Sequence, residues 1–269
     1  MSTTTGAALR EESVELWNGR LTMKVKVAGS GPDLVFLHPT SGPAWVPLLS
    51  HLAERFTVHL PELPGTSAGD PYAVHVIDEL PDLVLAYEEM TRRLGLTRPV
   101  LVGHSFGGML AAELAAHFPS LPERLILMDS LGLWRDDIPV VNLATTPPEQ
   151  VPAMLFADPS GPVAQAVLKP PDDPDQARAA MVARVWAMAS SGKYLWPIPD
   201  RGLRGRLHRI AASTLLLWGR EDRVVPVEHA DEFAGLIPDS KVAVVEGAGH
   251  LPHLEKGQQT ATLVDEFLG

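Results

Sequence analysis

The chain of 269 residues contains no cysteine. That absence excludes disulfides, thiolate metal sites and a cysteine nucleophile together. Basic residues are also scarce: 22 Lys and Arg stand against 33 Asp and Glu, a formal net charge of −11. Nucleic acid and anionic membranes repel such a chain, so neither is an expected partner, and a small molecule is. No run approaches 18 uninterrupted apolar residues, which leaves no candidate membrane-spanning helix. The first sixteen residues have no basic segment followed by an apolar one, so they do not read as a signal peptide, and the expected setting is cytoplasmic. Phosphate-loop (G-x-x-x-x-G-K-[ST]) and H-E-x-x-H patterns are missing too, so no nucleotide, flavin or metal cofactor is implied.

What is present reads as an α/β protein. Residues 13–17 and 21–27 alternate apolar and polar around Asn18-Gly19, the pattern of an antiparallel hairpin at a sheet edge. The runs 34–37, 100–102, 125–128, 215–218 and 242–245 are continuously apolar, as suits strands of a parallel sheet buried on both faces. Helical spacing fills the intervals at 78–94, 106–117, 228–236 and 260–268, with Gly95 a stop signal for the first. Strand–helix alternation of this kind makes right-handed crossovers. One stretch breaks the rhythm: nine prolines fall between Pro139 and Pro174, a density that excludes regular helix or central strand, and a helix is expected at 176–189. Residues 133–205 are therefore an insert between two strands. An insert leaving the carboxyl edge of a parallel sheet overlies the usual ligand crevice and is a lid candidate.

The chemistry-bearing residues gather at strand ends. Gly103-His104-Ser105-Phe106-Gly107 directly follows one buried run and directly precedes a helix. A strand-to-helix turn lifts a serine hydroxyl clear of the backbone, and flanking glycines permit the close approach. At a helix N-terminus, a developing oxyanion is favoured as well. A serine needs a base. His250, in the Gly-flanked loop after the run 242–245, is the candidate, and His253 is its rival; His51, His59, His75, His117, His208 and His229 have no comparable setting and read as solvated or packed. The base needs a carboxylate to hold its tautomer. Asp222 and Asp129 each follow a buried strand, and position alone does not separate them.

The order Ser105, Asp222, His250, the elbow G-H-S-F-G-G, the W-G-x-x-D-x-x-x-P stretch and the late G-A-G-H resemble the α/β-hydrolase superfamily over essentially the whole chain. The resemblance implies a mostly parallel eight-stranded sheet flanked by helices. It implies a core of residues 1–132 and 206–269, with 133–205 a helical cap. It favours Asp222 over Asp129 as the acid. It also implies an oxyanion hole from the backbone N–H of Phe106 and, because Pro39 has none to give, of Thr40 in His38-Pro39-Thr40-Ser41-Gly42. The acidic turn of the family corresponds to Glu62-Leu-Pro-Gly-Thr-Ser-Ala-Gly69 and is read as structural. Serine rather than aspartate at the elbow sets the chain apart from haloalkane dehalogenases and epoxide hydrolases. It points to acyl transfer on a small apolar ester, lactone or related carbonyl compound. Carbon–carbon hydrolysis, cofactor-free perhydrolysis, a lyase or cyclase, and a non-catalytic binding protein are the alternatives. His38, Trp134, Met181 and Trp186 are the candidate pocket residues.

Overall fold

The alternation around Asn18-Gly19 becomes a hairpin. Strand β1 (Arg10–Leu16) pairs antiparallel with β2 (Leu21–Gly29), and Leu16 opposite Leu21 closes the ladder. Trp17 lies in the four-residue turn rather than at the strand end, with φ of 56° at both Trp17 and Asn18. The computed structural model describes residues 8–66 and 70–269. Residues 1–7, and Ser67, Ala68 and Gly69 of the acidic turn, lie outside the described residues.

The chain continues through β3 (Asp33–Leu37), α1 (Pro47–Leu52), β4 (Thr57–Pro61), α2 (Leu80–Arg93), β5 (Val100–His104), α3 (Phe106–His117) and β6 (Arg124–Met128). After β6 come α4 (Val151–Leu155), α5 (Pro162–Leu168) and α6 (Pro174–Leu195). It ends with β7 (Ser213–Gly219), α7 (Glu228–Leu236), β8 (Ser240–Val245), α8 (Pro252–Glu255) and α9 (Gly257–Leu268). The eight strands form one sheet in the order β1-β2-β4-β3-β5-β6-β7-β8. Only β2 runs against its neighbours; every pair from β4 onward is parallel.

Burial on both faces explains the continuous apolar runs. Val35, Leu37, Leu101, Leu125, Leu127, Leu216 and Trp218 join one core with α2, α3 and α7. Their neighbours Leu34, Phe36, Val100, Val102, Ile126, Leu215 and Leu217 join a second core with α1 and α9. A two-residue period sends successive side chains to opposite faces, so a doubly covered strand must be apolar throughout. Strand β4 escapes that pattern. In Thr-Val-His-Leu-Pro, His59 interrupts the apolar run, yet its Nε2 lies 2.9 Å from Asp33 Oδ1 and is satisfied there.

The proline-rich stretch corrects the expectation that no regular helix forms between residues 139 and 174. Helices α4 and α5 lie inside it, and each carries proline in its first turn. There the missing N–H would have had no intrahelical partner anyway, so proline starts a helix it could not continue. Helix α6 also begins on a proline, capped by Asp173, whose side chain accepts from the N–H groups of Asp175 and Gln176. It runs six residues past the expected end at 189, and most of its N-terminal half is exposed. Among the described residues, no helix is long and apolar enough to cross a membrane.

Candidate active site

Strand β5 turns into α3 at Ser105, whose φ of 55° and ψ of −116° lie outside the ordinary regions for a side-chain-bearing residue. Such a conformation stores on the order of 1–3 kcal/mol and persists only where its surroundings over-determine it. Here they do. The Ser105 N–H donates to Met128 O at 2.9 Å, and Ser105 O accepts from the N–H groups of Gly108, Met109 and Leu131. A Cβ on Gly107 would sit 1.9 Å from Leu37 O, and one on Gly103 would sit 2.2 Å from Gly107 O. The glycines are thus required by close backbone approach around the serine.

His250 follows β8, and its Nε2 lies 2.9 Å from Ser105 Oγ while its Nδ1 lies 2.8 Å from Asp222 Oδ2. A carboxylate only accepts, so Nδ1 carries the hydrogen and Nε2 presents a lone pair to the serine hydroxyl. Asp222 Oδ1 accepts from the N–H groups of Val224 and Val225 at 2.8 and 3.0 Å, which fixes the carboxylate in the turn after β7. All three side chains are buried. Asp129, at the end of β6, does not bond to His250; its Oδ1 accepts from the Gly219 N–H at 2.9 Å. Burial, and then the neighbouring Asp222, push its carboxyl well above the usual carboxylate range. The choice left open by position between the two acids is thereby resolved: Asp222 is the partner of His250.

Asp129, Asp222 and His250 place one ligand-capable atom each within 4.8 Å of one another. A small cation would accept that spacing. Both oxygens of Asp222 are already taken by N–H donors, and both nitrogens of His250 are committed to Asp222 and Ser105.

The segment between β6 and β7 braces the base. The His250 N–H donates to Leu155 O at 2.9 Å. Glu255 accepts from the Gly249 N–H at 2.7 Å and from the Ala157 N–H at 3.0 Å. Arg223, next to Asp222, donates to Ala153 O and Phe156 O. His253, the rival base, stacks edge-on against His104 with ring centroids 4.8 Å apart and does not bond to Ser105. Burial, reinforced by His250, depresses it to about 3.

Ser105 and His250 open into a cavity of about 300 Å³. Thr40 lines it, and so do Leu143, Leu155, Val167, Leu168 and Met188 from the segment between β6 and β7. Arg184, one turn before Met188 on α6, is the lone Arg or Lys on this wall. Its side chain makes no hydrogen bond or ion pair among the described residues. A larger recess of about 480 Å³ holds no serine, and Arg206 on its wall is paired with Glu113.

The four candidate pocket residues lie elsewhere, and their placement is corrected. His38 is structural: its Nε2 accepts from the Leu63 N–H at 3.0 Å, its Nδ1 donates to Pro39 O at 2.7 Å, and burial holds it down to about 4. Trp134 packs against the core and donates to Asp136. Met181 is 63% exposed on the outer face of α6. Trp186 lines a separate groove and meets Tyr72 edge-on at 6.0 Å. Met181 and Trp186 are apolar residues of α6, but helix phase decides which face looks inward, and Arg184 and Met188 hold that face. The wall residues from the proline-rich stretch carried no periodic signal at all.

A family model described as the alpha/beta hydrolase family matches residues 34–263. The chain is 28% identical over 263 residues to a 2-hydroxy-6-oxo-6-phenylhexa-2,4-dienoate hydrolase of Comamonas testosteroni, covering 90% of this chain and 89% of that protein. It is 29% identical over 261 residues to a pimeloyl-[acyl-carrier protein] methyl ester esterase of Aeromonas hydrophila, covering 93% and 100%. The naproxen esterase of Bacillus subtilis shares the fold at a TM-score of 0.74 and 15% identity, over 98% of this chain and 92% of that one. With its eight-stranded sheet, its serine elbow and a family match across most of its length, the chain belongs to the alpha/beta hydrolase family.

Proposed function

We propose that the protein is a serine hydrolase acting on a small, largely apolar carboxylic ester, lactone or related carbonyl compound. The observation that carries this reading is the continuous hydrogen-bonded chain from Ser105 through His250 to Asp222, at the floor of a mainly apolar cavity. In the first half-reaction, His250 Nε2 takes the Ser105 proton as Oγ attacks the carbonyl carbon. Asp222 stabilises the imidazolium that forms. The oxyanion is held by the Phe106 N–H, which at the first position of α3 has no intrahelical partner, and by the Thr40 N–H, which has no backbone partner among the described residues. One such donor is worth ~3 kcal/mol of barrier. His250 then gives its proton to the leaving group, and water repeats the sequence on the acyl-enzyme. Residues 133–205 act as a cap over this chemistry, because they supply much of the cavity wall and brace the His250 loop.

Arg184 favours a second reading. A permanently charged, unpaired guanidinium beside an apolar wall suits a substrate that carries a carboxylate. Hydrolysis of a carbon–carbon bond beside a carbonyl in such a molecule would use the same serine and histidine, and a relative named as a dienoate hydrolase is among the similar proteins.

The test is turnover of p-nitrophenyl esters, from acetyl to long acyl, by the wild type and Ser105→Ala. The variant should lose on the order of 10⁴–10⁶ in kcat. Undiminished turnover by Ser105→Ala would remove the reading. Inactivity of both proteins would move carbon–carbon cleavage ahead of ester hydrolysis.

A further inference from the structure

Beside Asp222 lies a second carboxyl group that the proposed chemistry does not use. Asp129 is completely buried and held at a φ of 45°, an unusual conformation for a non-glycine residue at the end of a strand. The oxygens of the two carboxyls can be accounted for individually. Asp222 Oδ1 takes two backbone N–H groups and Oδ2 takes His250. Asp129 Oδ1 takes the Gly219 N–H. Asp129 Oδ2 is sealed from solvent and has no donor, and the Asp129 carboxyl places an oxygen within 4.8 Å of one on Asp222. Two carboxylates cannot bond to each other without a proton between them. An ionised Asp129 would also face Asp222 and, farther off, Glu255, with His250 the nearby group able to become a cation. Desolvation and like-charge repulsion both act against that second charge.

We propose that Asp129 stands in the fold as a neutral carboxylic acid whose Oδ2 proton is donated to Asp222, making it a positioning residue for the Asp222–His250 pair. The bond gives the orphaned oxygen a partner and adds a second hold on Asp222 beside His250. It also disperses the charge on Asp222, so that the imidazolium formed during the reaction is stabilised without passing its proton on. No proton moves on or off Asp129 during turnover. The consequence for rate rests on the hydrolase reading; the location of the proton does not.

The protonation itself is tested by infrared spectroscopy of the full-length protein at pH 7, with isotope-labelled aspartate to assign the band. A carbonyl stretch of a protonated aspartic acid should be present in the wild type, persist in Ser105→Ala and vanish in Asp129→Asn. A wild-type spectrum without that band overturns the proposal, whether or not the protein hydrolyses esters and without relying on any variant to fold. The positioning role is read from rates. Asp129→Leu, which has no donor, should lower kcat by about tenfold or more with little change in KM, as loss of a hydrogen bond to a charged group does. Asp129→Asn, whose amide can still donate to Asp222, should recover most of that loss. An asparagine variant as slow as the leucine variant, with the same thermal stability as wild type, would overturn the positioning role.

Discussion

Acidification should destabilise this protein through histidines that the fold keeps neutral. His38, His104 and His253 are 4%, 0% and 5% exposed. Burial holds His38 down to about 4, His253 down to about 3, and His104 well below the usual imidazole range. In the unfolded chain each titrates near ~6.5. Between about pH 6 and 5, each therefore binds a proton when unfolded and none when folded. Every such difference lowers stability by about 1.4 kcal/mol per unit of acidification. Asp129 works in the opposite direction. Its folded value is raised, so in the same window it keeps a proton that the unfolded chain has released. Three protons taken up on unfolding less one released leaves about two, a slope of about 2.7 kcal/mol per pH unit to which buried His229, also lowered by burial, adds with the same sign, so that stability rises as pH rises. Against a total of roughly 5–15 kcal/mol for a domain, two units of acidification remove a large share. Urea unfolding at closely spaced pH values, extrapolated to water, measures the slope. A flat profile between about pH 6 and 5, or one that falls with rising pH, would refute the reasoning. His253→Gln should flatten the slope by about 1.4 kcal/mol per unit, since it removes one of the three histidines.

Two further outcomes follow from the geometry of the site. Gly107→Ala puts a Cβ within 1.9 Å of Leu37 O, an atom of the β3 backbone that cannot yield cheaply. It should lose roughly 3 kcal/mol or more of stability, read as a fall in Tm on the order of 6 °C or more; an unchanged Tm would mean that the elbow is not held by that contact. Arg184→Met should raise KM about tenfold for a substrate bearing a carboxylate and leave KM for a neutral ester in place. Equal effects on both would remove the second reading of the substrate.

Much of the fold can be read from local pattern. The unbroken run 215–218 marks a strand covered on both faces, and the structure sends Leu215 and Leu217 to one core and Leu216 and Trp218 to the other. The helix expected at 228–236 forms over those same residues. The reading fails where local pattern is ambiguous. Strand β4 is hidden by His59, whose Nε2 finds its partner only in Asp33 on the adjacent strand. Helices α4 and α5 are hidden because a proline count cannot tell a first turn from a helix interior.

By itself, the sequence determined the strand–helix alternation, the serine at a glycine-flanked elbow, and the candidate base and acids at strand ends. These depend on periodicity and on backbone sterics, which act over a few residues. Tertiary structure decided that Asp222 rather than Asp129 meets His250, that Arg184 and Met188 rather than Met181 and Trp186 face the cavity, and that residues from the proline-rich stretch wall it in. The physical reason is distance along the chain. Asp129 and Asp222 are 93 residues apart yet share one buried site. Which of them bonds to the imidazole depends on how β6 and β7 end side by side, where the Gly219 N–H engages one carboxyl and the Val224 and Val225 N–H groups orient the other.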